Sequence, residues 1–401
     1  MDKLKILLCE NIHPLAKESL ESNGFEVDLI SYAPDEAELI KILPGYDAIG
    51  IRSKTKLTKN VIEKNSHLLT IGCFCIGTNQ VDLEAAKVSA IPVFNAPHSN
   101  TRSVAELVIA ESISLARQIA DRSMFAHQGK WSKTATGSFE VRGKTMGIVG
   151  YGHIGSQVSV LSEALGMKVL FYDVVKKLPL GNASQIGELA QLYANSDFIT
   201  LHVPELPETK NMIGKKQLAQ MKAGAFLINA SRGSVVVLED LKDAIESGHI
   251  GGCAIDVFPS EPASNNEEFI SPLQGVRNVI LTPHIGGSTE EAQVNIGGEV
   301  SESLRRFLKA GSSHGSVNFP QVDLPLKGDS SRLLNIHRNE PGVLSAINNI
   351  ISASGANIEG QYLSTDPDIG YLVVDVKFSE AKSLEEEIKK LPRSIRTRIV
   401  S

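Results

Sequence analysis

The chain predicts an α/β protein with two doubly wound parallel-sheet domains followed by a small ferredoxin-like βαββαβ sandwich. Three observations carry this reading. Short apolar runs alternate with helix-spaced segments through residues 5–94. A second alternation starts near Thr145 and opens on a glycine-rich turn. From residue 330 onward the pattern restarts as strand, helix, strand, strand, helix, strand.

In the first unit, residues 5–9, 25–30, 48–51, 68–71 and 91–94 read as strands, and 15–22, closed by Asn23 and Gly24, as a helix. At Asn100 the rhythm changes. Ser103 and Glu106 have the spacing of a capping box, so a long apolar helix is expected from there to about Ile119. With no strand beside it, this helix would carry the chain into a second domain. Strands resume at Thr145 and Val169, then over 198–203, 225–229, 252–256 and 279–282. The helix over 290–309 is expected to return to the first domain and make it discontinuous. Residues 309–316, Asn318-Phe-Pro320 and Leu324-Pro-Leu326 read as a linker. In the last unit strands are expected over 333–337, 357–363, 371–378 and 395–400, and helices over 341–354 and 384–391.

Composition narrows the function class. At 401 residues the chain is long enough for two or three domains, and 42% hydrophobic with 21% charged residues is globular. A net charge of −6 argues against nucleic acid or an anionic membrane as the main partner. No signal-peptide pattern opens the chain and no window reaches the ~18 apolar residues of a membrane span, so a cytoplasmic enzyme is expected. Cys9, Cys73, Cys75 and Cys253 form no disulfide framework, and no second Cys or His cluster completes a metal site.

The glycine-rich turn is the strongest local signal. Gly150, Gly152 and Gly155 follow the apolar run 146–149, His153 and Ile154 open a helix, and Asp173 ends the next apolar run. In a dinucleotide-binding βαβ unit the first glycine allows the tight turn and the second admits the pyrophosphate. The third lets helix and strand pack closely, and the helix N-terminus faces the phosphates. Asp173, 23 residues after Gly150, is placed to accept from both ribose hydroxyls and to repel a 2′-phosphate, which favours NAD over NADP. An enzyme that moves a hydride to NAD from a hydroxy acid must also anchor a carboxylate and remove the hydroxyl proton. Three strand-end loops offer the groups: Asn229-Ala-Ser-Arg232-Gly, Asp256-Val-Phe-Pro-Ser-Glu261-Pro and Thr282-Pro-His284. His284 is the proton acceptor, Glu261 its tautomer-fixing partner, and Arg232 the bidentate anchor.

These motifs, with Leu201-His-Val-Pro204, Ala254-Ile-Asp-Val-Phe258 and Leu281-Thr-Pro-His-Ile-Gly-Gly287, resemble the D-isomer-specific 2-hydroxyacid dehydrogenases. Gly50-Ile-Arg-Ser53, residues 71–82 and residues 94–106 resemble the members that act on 3-phospho-D-glycerate. Residues 336–344 resemble the opening of an ACT domain. The resemblance implies a flavodoxin-like substrate-binding domain of residues 1–99 and 287–320, a Rossmann NAD domain of 100–286, and an ACT regulatory domain of 330–401. It implies oxidation of 3-phospho-D-glycerate to 3-phosphooxypyruvate with NAD, the entry to L-serine synthesis, with 2-oxoglutarate reduced as well in some relatives. Cofactor contacts would come from the glycine loop, Asp173, His202, Pro204, Ala230, Ser231, Asp256, Gly286 and Gly287.

Substrate contacts implied by the resemblance are Arg52, Ser53 and Lys54 for the phosphate, and the N–H groups of Ile76 and Gly77 for the carboxylate. Asn100 serves either as a further contact or as a helix cap. Lys133 would add charge across a subunit interface, with Trp131 either its anchor or simply packed. Near Ser31 and Tyr32 this chain has no basic residue where some relatives place a Lys. His337, Asn339 and Asn357 match positions that bind L-serine as an allosteric effector. A homotetramer follows from the same likeness, as does a cleft in which the glycine loop faces Arg52. The catalytic trio is shared with dehydrogenases of other D-2-hydroxy acids and with NAD-sensing corepressors. The phosphate residues and the ACT-like tail favour the phosphoglycerate reading.

Overall fold

The computed structural model describes residues 3–262, 266–325, 330–377 and 381–400. The chain divides into two compact units, residues 1–99 with 293–401, and residues 100–292.

The first unit holds a parallel sheet of β1 (Lys5–Leu8), β2 (Glu26–Leu29), β3 (Ala48–Ile51), β4 (Thr70–Cys73) and β5 (Val93–Phe94), in the order β2-β1-β3-β4-β5. This is the flavodoxin-like doubly wound order. Both faces are covered, so β3 and β4 are buried at every position and read as unbroken apolar runs rather than alternating ones. One face packs Leu7, Ile49 and Ile71 on Val61 and Ile62, and the other packs Ile6 and Leu8 on Ala16 and Leu20. The helix Glu290–Ala310 lies on this second face through Val300, Leu304 and Phe307. A Cβ at Gly72 would stand 2.9 Å from Val300 Cγ1, so the bare strand glycine is what lets the helix approach.

The second unit holds β6 (Thr145–Val149), β7 (Lys168–Tyr172), β8 (Ser184–Gln185), β9 (Phe198–Leu201), β10 (Ala225–Asn229), β11 (Ile250–Ile255) and β12 (Val279–Leu281). All pairings are parallel, in the order β12-β11-β10-β9-β6-β7-β8. The strand order reverses between β6 and β9, the place where open α/β sheets bind ligands. The two-residue β8 carries no periodic signal and is not legible in the sequence. The long helix begins at Thr101, two residues before the expected capping box. Ser103 lies inside it and bonds Thr289, while Glu106 pairs with Arg102. The helix ends at Gln118, whose φ of 54° breaks the chain into a second helix, Ile119–His127.

The βαββαβ segment forms an antiparallel sheet of β13 (Ser330–Arg338), β14 (Ile358–Thr365), β15 (Ile369–Lys377) and β16 (Ser394–Val400), ordered β14-β15-β13-β16. The expected strand 371–378 ends on Phe378, outside the described residues. Leu333, Leu372 and Val374 on one face pack under the helices Val343–Ser354 and Ala381–Lys389. Leu334, Ile336, Tyr371 and Val373 on the other face join the core of the five-stranded sheet with Phe94, Phe307 and Phe319.

The Gly/Ser-rich stretch read as a linker is instead an ordered strap. Ser312, Ser313 and Ser316 are buried, Ser316 bridges Phe94, and Asn318 bonds the backbone of Ile91 and Val93. Small side chains that look flexible in sequence are the ones that fit under the neighbouring sheet. At its end Arg332 and Asp375, each 1% exposed, form a bidentate pair. The remaining guanidinium donors go to the carbonyls of Ala310, Leu324 and Pro325. A buried pair this fully bonded is costly to break, about 3–5 kcal/mol when one partner is removed.

Candidate active site

The glycine loop stands at the switch point, and each glycine has a local reason. Gly150 has φ 94°, and a side chain there would collide with the His202 carbonyl at the end of β9. A side chain at Gly155 would strike the Gly150 carbonyl, so helix and turn could not close. A Cβ at Gly152 would meet nothing within 4 Å, which leaves an open approach at the N-terminus of the helix His153–Ala164. The N-cap residue of that helix makes no side-chain capping bond, and a helix N-terminus favours an anion.

His202 bonds Thr200 through Nε2, and its buried Nδ1 has no partner among the described residues. Burial lowers its pKa to about 3 and keeps the ring neutral. Asp173 accepts from the N–H groups of Tyr151 (2.9 Å) and Val175 (3.1 Å), which orients the carboxylate and leaves further acceptor positions. An open glycine cradle, an uncapped helix start and an orphaned ring nitrogen beside it fit a dinucleotide. Gly150, Gly152, His153, Ile154, Gly155, Asp173 and His202 are the residues that could hold it.

The other strand-end loops of this unit bring Glu261 and His284 into hydrogen-bond contact, with Arg232 near enough for its charge to act on both. Asn229, fully buried at the end of β10, accepts from Ser231 through its Oδ1 and donates to the Arg232 carbonyl. This shapes the Arg232 loop. A side chain at Gly233 would collide with the Phe258 carbonyl, so the Arg232 and Glu261 loops approach closely only through that glycine. Glu261 Oε1 accepts from the Phe258 N–H (3.1 Å), and Oε2 meets His284 Nδ1 at 2.8 Å.

His284 has φ 54°, and its own N–H donates to the Asp256 carbonyl at 2.8 Å. Asp256, 1% exposed, takes the Thr282 hydroxyl (2.6 Å), the Ile285 N–H (2.8 Å) and the Gly286 N–H (2.8 Å). The loop is therefore held in an unfavourable conformation by a buried acceptor beneath it.

The electrostatics follow from these bonds. The Glu261 hydrogen bond raises the His284 pKa above its ordinary 6.5, against the opposing effect of burial. Burial works to raise Glu261, but His284, the Phe258 N–H and the nearby Arg232 charge outweigh it and hold the carboxyl below 4.5. An ionised carboxylate only accepts, so His284 carries its proton on Nδ1 and presents Nε2 as a base.

In the first unit the Arg52 and Lys54 side chains bond no other side chain among the described residues, and Ser53 and Lys54 are exposed. The N–H groups of Ile76 and Gly77 have no acceptor among the described residues, while the Ile76 carbonyl takes Asn95 Nδ2 at 2.5 Å. Asn100 sits at the N-cap of Thr101–Arg117, yet its side chain makes no capping bond, and its amide lies where a side chain on Gly287 would go.

Lys133 and Trp131 are on the exposed stretch after His127, with Trp131 88% exposed. Arg122 clamps that stretch through the carbonyls of Ser132 and Thr134, a role the sequence did not suggest. In the small sheet, buried His337 bonds Asn335 (2.8 Å), and burial lowers its pKa. Asn339 donates to the Asp366 carbonyl (2.6 Å), and Asn357 is exposed. No hydrogen bond joins these three to one another among the described residues. No group of three or more His, Cys, Asp or Glu among the described residues could hold a metal, and no helix is long and apolar enough to cross a membrane.

The D-isomer specific 2-hydroxyacid dehydrogenase NAD-binding domain matches residues 109–286, and an AHAS small subunit-like ACT domain matches 333–396. The chain is 52% identical to D-3-phosphoglycerate dehydrogenase of Haemophilus influenzae, over 99% of this chain and 97% of that protein. It is also 52% identical to the Escherichia coli K12 protein of the same name, over 100% and 98%. Among solved structures, D-2-hydroxyisocaproate dehydrogenase superposes with a TM-score of 0.73 at 25% identity, covering 79% of this chain and all of that one. D-lactate dehydrogenase of Aquifex aeolicus, solved with NAD and lactic acid, gives 0.67 at 28% identity, over 79% and 100%.

Proposed function

The chain belongs to the D-isomer specific 2-hydroxyacid dehydrogenases, and from that premise we propose how its residues divide the work of an NAD-dependent D-3-phosphoglycerate dehydrogenase. It oxidises 3-phospho-D-glycerate to 3-phosphooxypyruvate. The observation that carries the chemistry is the Glu261–His284 bond of 2.8 Å, with Arg232 close enough to influence both charges.

NAD, held at the glycine loop, supplies the hydride acceptor. His284 Nε2 takes the hydroxyl proton, and Glu261 stabilises the imidazolium that results. Arg232 holds the substrate carboxylate and the C2 oxygen. Ala230, Ser231, Pro204, Gly286 and Gly287 line the strand ends on the cofactor side. Asp256 contributes there by fixing the 285–286 backbone. In the first unit Arg52, Ser53 and Lys54 recognise the phosphate, and the Ile76 and Gly77 N–H groups the carboxylate, with Asn100 and Lys133 as further contacts.

L-serine is the effector, bound through His337, Asn339 and Asn357 of the ACT segment, whose amide and imidazole groups suit a zwitterion. The exposed Trp131 supports assembly of copies, and four is the expected number. The cytoplasm is the expected compartment.

The test is the reverse reaction, 3-phosphohydroxypyruvate with NADH, with and without L-serine, beside unphosphorylated hydroxypyruvate. Turnover with a preference of roughly tenfold or more for the phosphorylated acid, and loss of rate on adding serine, is expected. Equal kcat/KM for the two acids would remove the phosphate assignment, and indifference to serine would remove the effector. Light scattering checks the tetramer.

A further inference from the structure

Two buried polar side chains of the first unit tie together the loops assigned to the substrate. Glu10 follows β1 with φ 64° and is 9% exposed. Its Oε1 accepts from the N–H groups of Arg52 (3.1 Å) and Thr55 (2.8 Å), and its Oε2 from that of Lys54 (2.9 Å). Gln80 is 8% exposed, and its amide nitrogen meets the Arg52 carbonyl (2.8 Å), Cys75 Sγ (3.1 Å) and the Gly77 carbonyl (3.3 Å). Arg52 is thus held at its N–H by one side chain and at its carbonyl by the other. The second of these also grips the loop at 75–77.

The consequence is chemical as well as mechanical. Backbone donors at 52, 54 and 55 are occupied by Glu10, so that loop meets an anion chiefly through the side chains of Arg52, Ser53 and Lys54. At Ile76 and Gly77 the side chains are apolar or absent and the backbone N–H groups are free of protein acceptors among the described residues. One end of the receptor therefore reads an anion through flexible charges, the other through fixed dipoles.

We propose that Glu10 and Gln80 are positioning residues that hold the 52–55 and 75–77 loops at a set spacing, selecting hydroxy acids with a second anionic group beyond the carboxylate. This rests on the assignment of those two loops to the substrate. A carboxylate under two cations would weaken anion binding if it acted by charge alone; tied to three N–H groups, it acts on the backbone.

Glu10→Gln separates the two roles by sign, because it is nearly isosteric and removes one negative charge. Gln80→Met breaks the bridge without changing charge. KM and kcat are measured for 3-phosphohydroxypyruvate and for unphosphorylated hydroxypyruvate, with NADH affinity and the thermal midpoint read in parallel. In each variant KM for the phosphorylated acid is expected to rise about tenfold, with kcat within about threefold and NADH affinity unchanged. The preference over the unphosphorylated acid should shrink by the same factor.

A tighter or unchanged KM in Glu10→Gln overturns the proposal, as does an equal loss for both acids in Gln80→Met. If Glu10→Gln does not fold, the result with Gln80→Met decides. A wild-type enzyme with no preference for the phosphorylated acid overturns the substrate assignment first, and the proposal with it.

Discussion

Glu10 and Asp256 stand just past parallel strands, β1 and β11, and both engage their carboxylate oxygens with backbone N–H groups of a functional loop. The loops they hold differ in what they display. The Asp256 loop presents His284, whose Nδ1 bonds Glu261 and whose affinity for a proton is tuned by that bond. The Glu10 loop presents Arg52 and Lys54, which bond no neighbouring side chain among the described residues. On the proposed assignments, similar mechanical support serves proton transfer in one unit and charge recognition in the other. Damage to the first should appear in kcat and its pH dependence, damage to the second in KM.

His284→Ala gives the largest expected effect, a fall in kcat of about 10³–10⁴-fold with NADH affinity retained. Near-normal turnover would break the comparison at its chemical end. Arg52→Ala combined with Lys54→Ala should lower kcat/KM for the phosphorylated acid about 10²-fold while sparing the unphosphorylated one. An equal loss for both acids would place these cations elsewhere in the reaction.

Glu261→Gln sharpens the contrast through pH. Oxidation needs neutral His284, so the rate rises with pH through the raised His284 pKa. Losing the carboxylate lowers that pKa, and the rise should begin at lower pH with a smaller kcat. A profile that stays in place would show that Glu261 does not tune the imidazole.

Stability follows the same pair. The raised His284 pKa contributes fully below its ordinary 6.5 and is lost as pH rises through the folded value, while the depressed Glu261 pKa contributes above its ordinary 4.5 and is lost as pH falls. The pair supports the fold most between those two pH values.

Arg332→Ala should leave kcat and KM nearest to wild type while lowering stability by about 3–5 kcal/mol, read as a fall in the thermal midpoint. It strands Asp375 in the core and frees three strap carbonyls, but touches neither loop. A variant with wild-type stability and altered KM would show that the strap acts on the substrate loops.

Much of the architecture was legible because its signals are local. Apolar runs with the right spacing marked the principal strands, the glycine turn marked the start of the helix after β6, and Arg232, Glu261 and His284 each follow a strand. The start of the long helix was misplaced because Ser103 and Glu106 imitate a capping box, whereas both are inside the helix with other partners. The strap at 309–316 was misread because Gly and Ser describe flexibility in composition yet also describe what fits in a tight space. Asn229 and Asp256 were visible as strand-end polar residues, but their acceptors and donors were not.

What the sequence by itself determined is the identity and order of the principal elements, with the glycine turn at the opening of the second sheet and an Arg, a Glu and a His after its late strands, since each is encoded within a few positions. Tertiary structure alone decided which backbone groups remain free to meet a substrate. Glu10 reaches its loop across 42 to 45 residues, Gln80 reaches Arg52 across 28, and Arg332 meets Asp375 across 43. Separations of that length are bridged by strand pairing, parallel beside Glu10 and Gln80 and antiparallel between Arg332 and Asp375, and no local pattern records which residue closes on which partner.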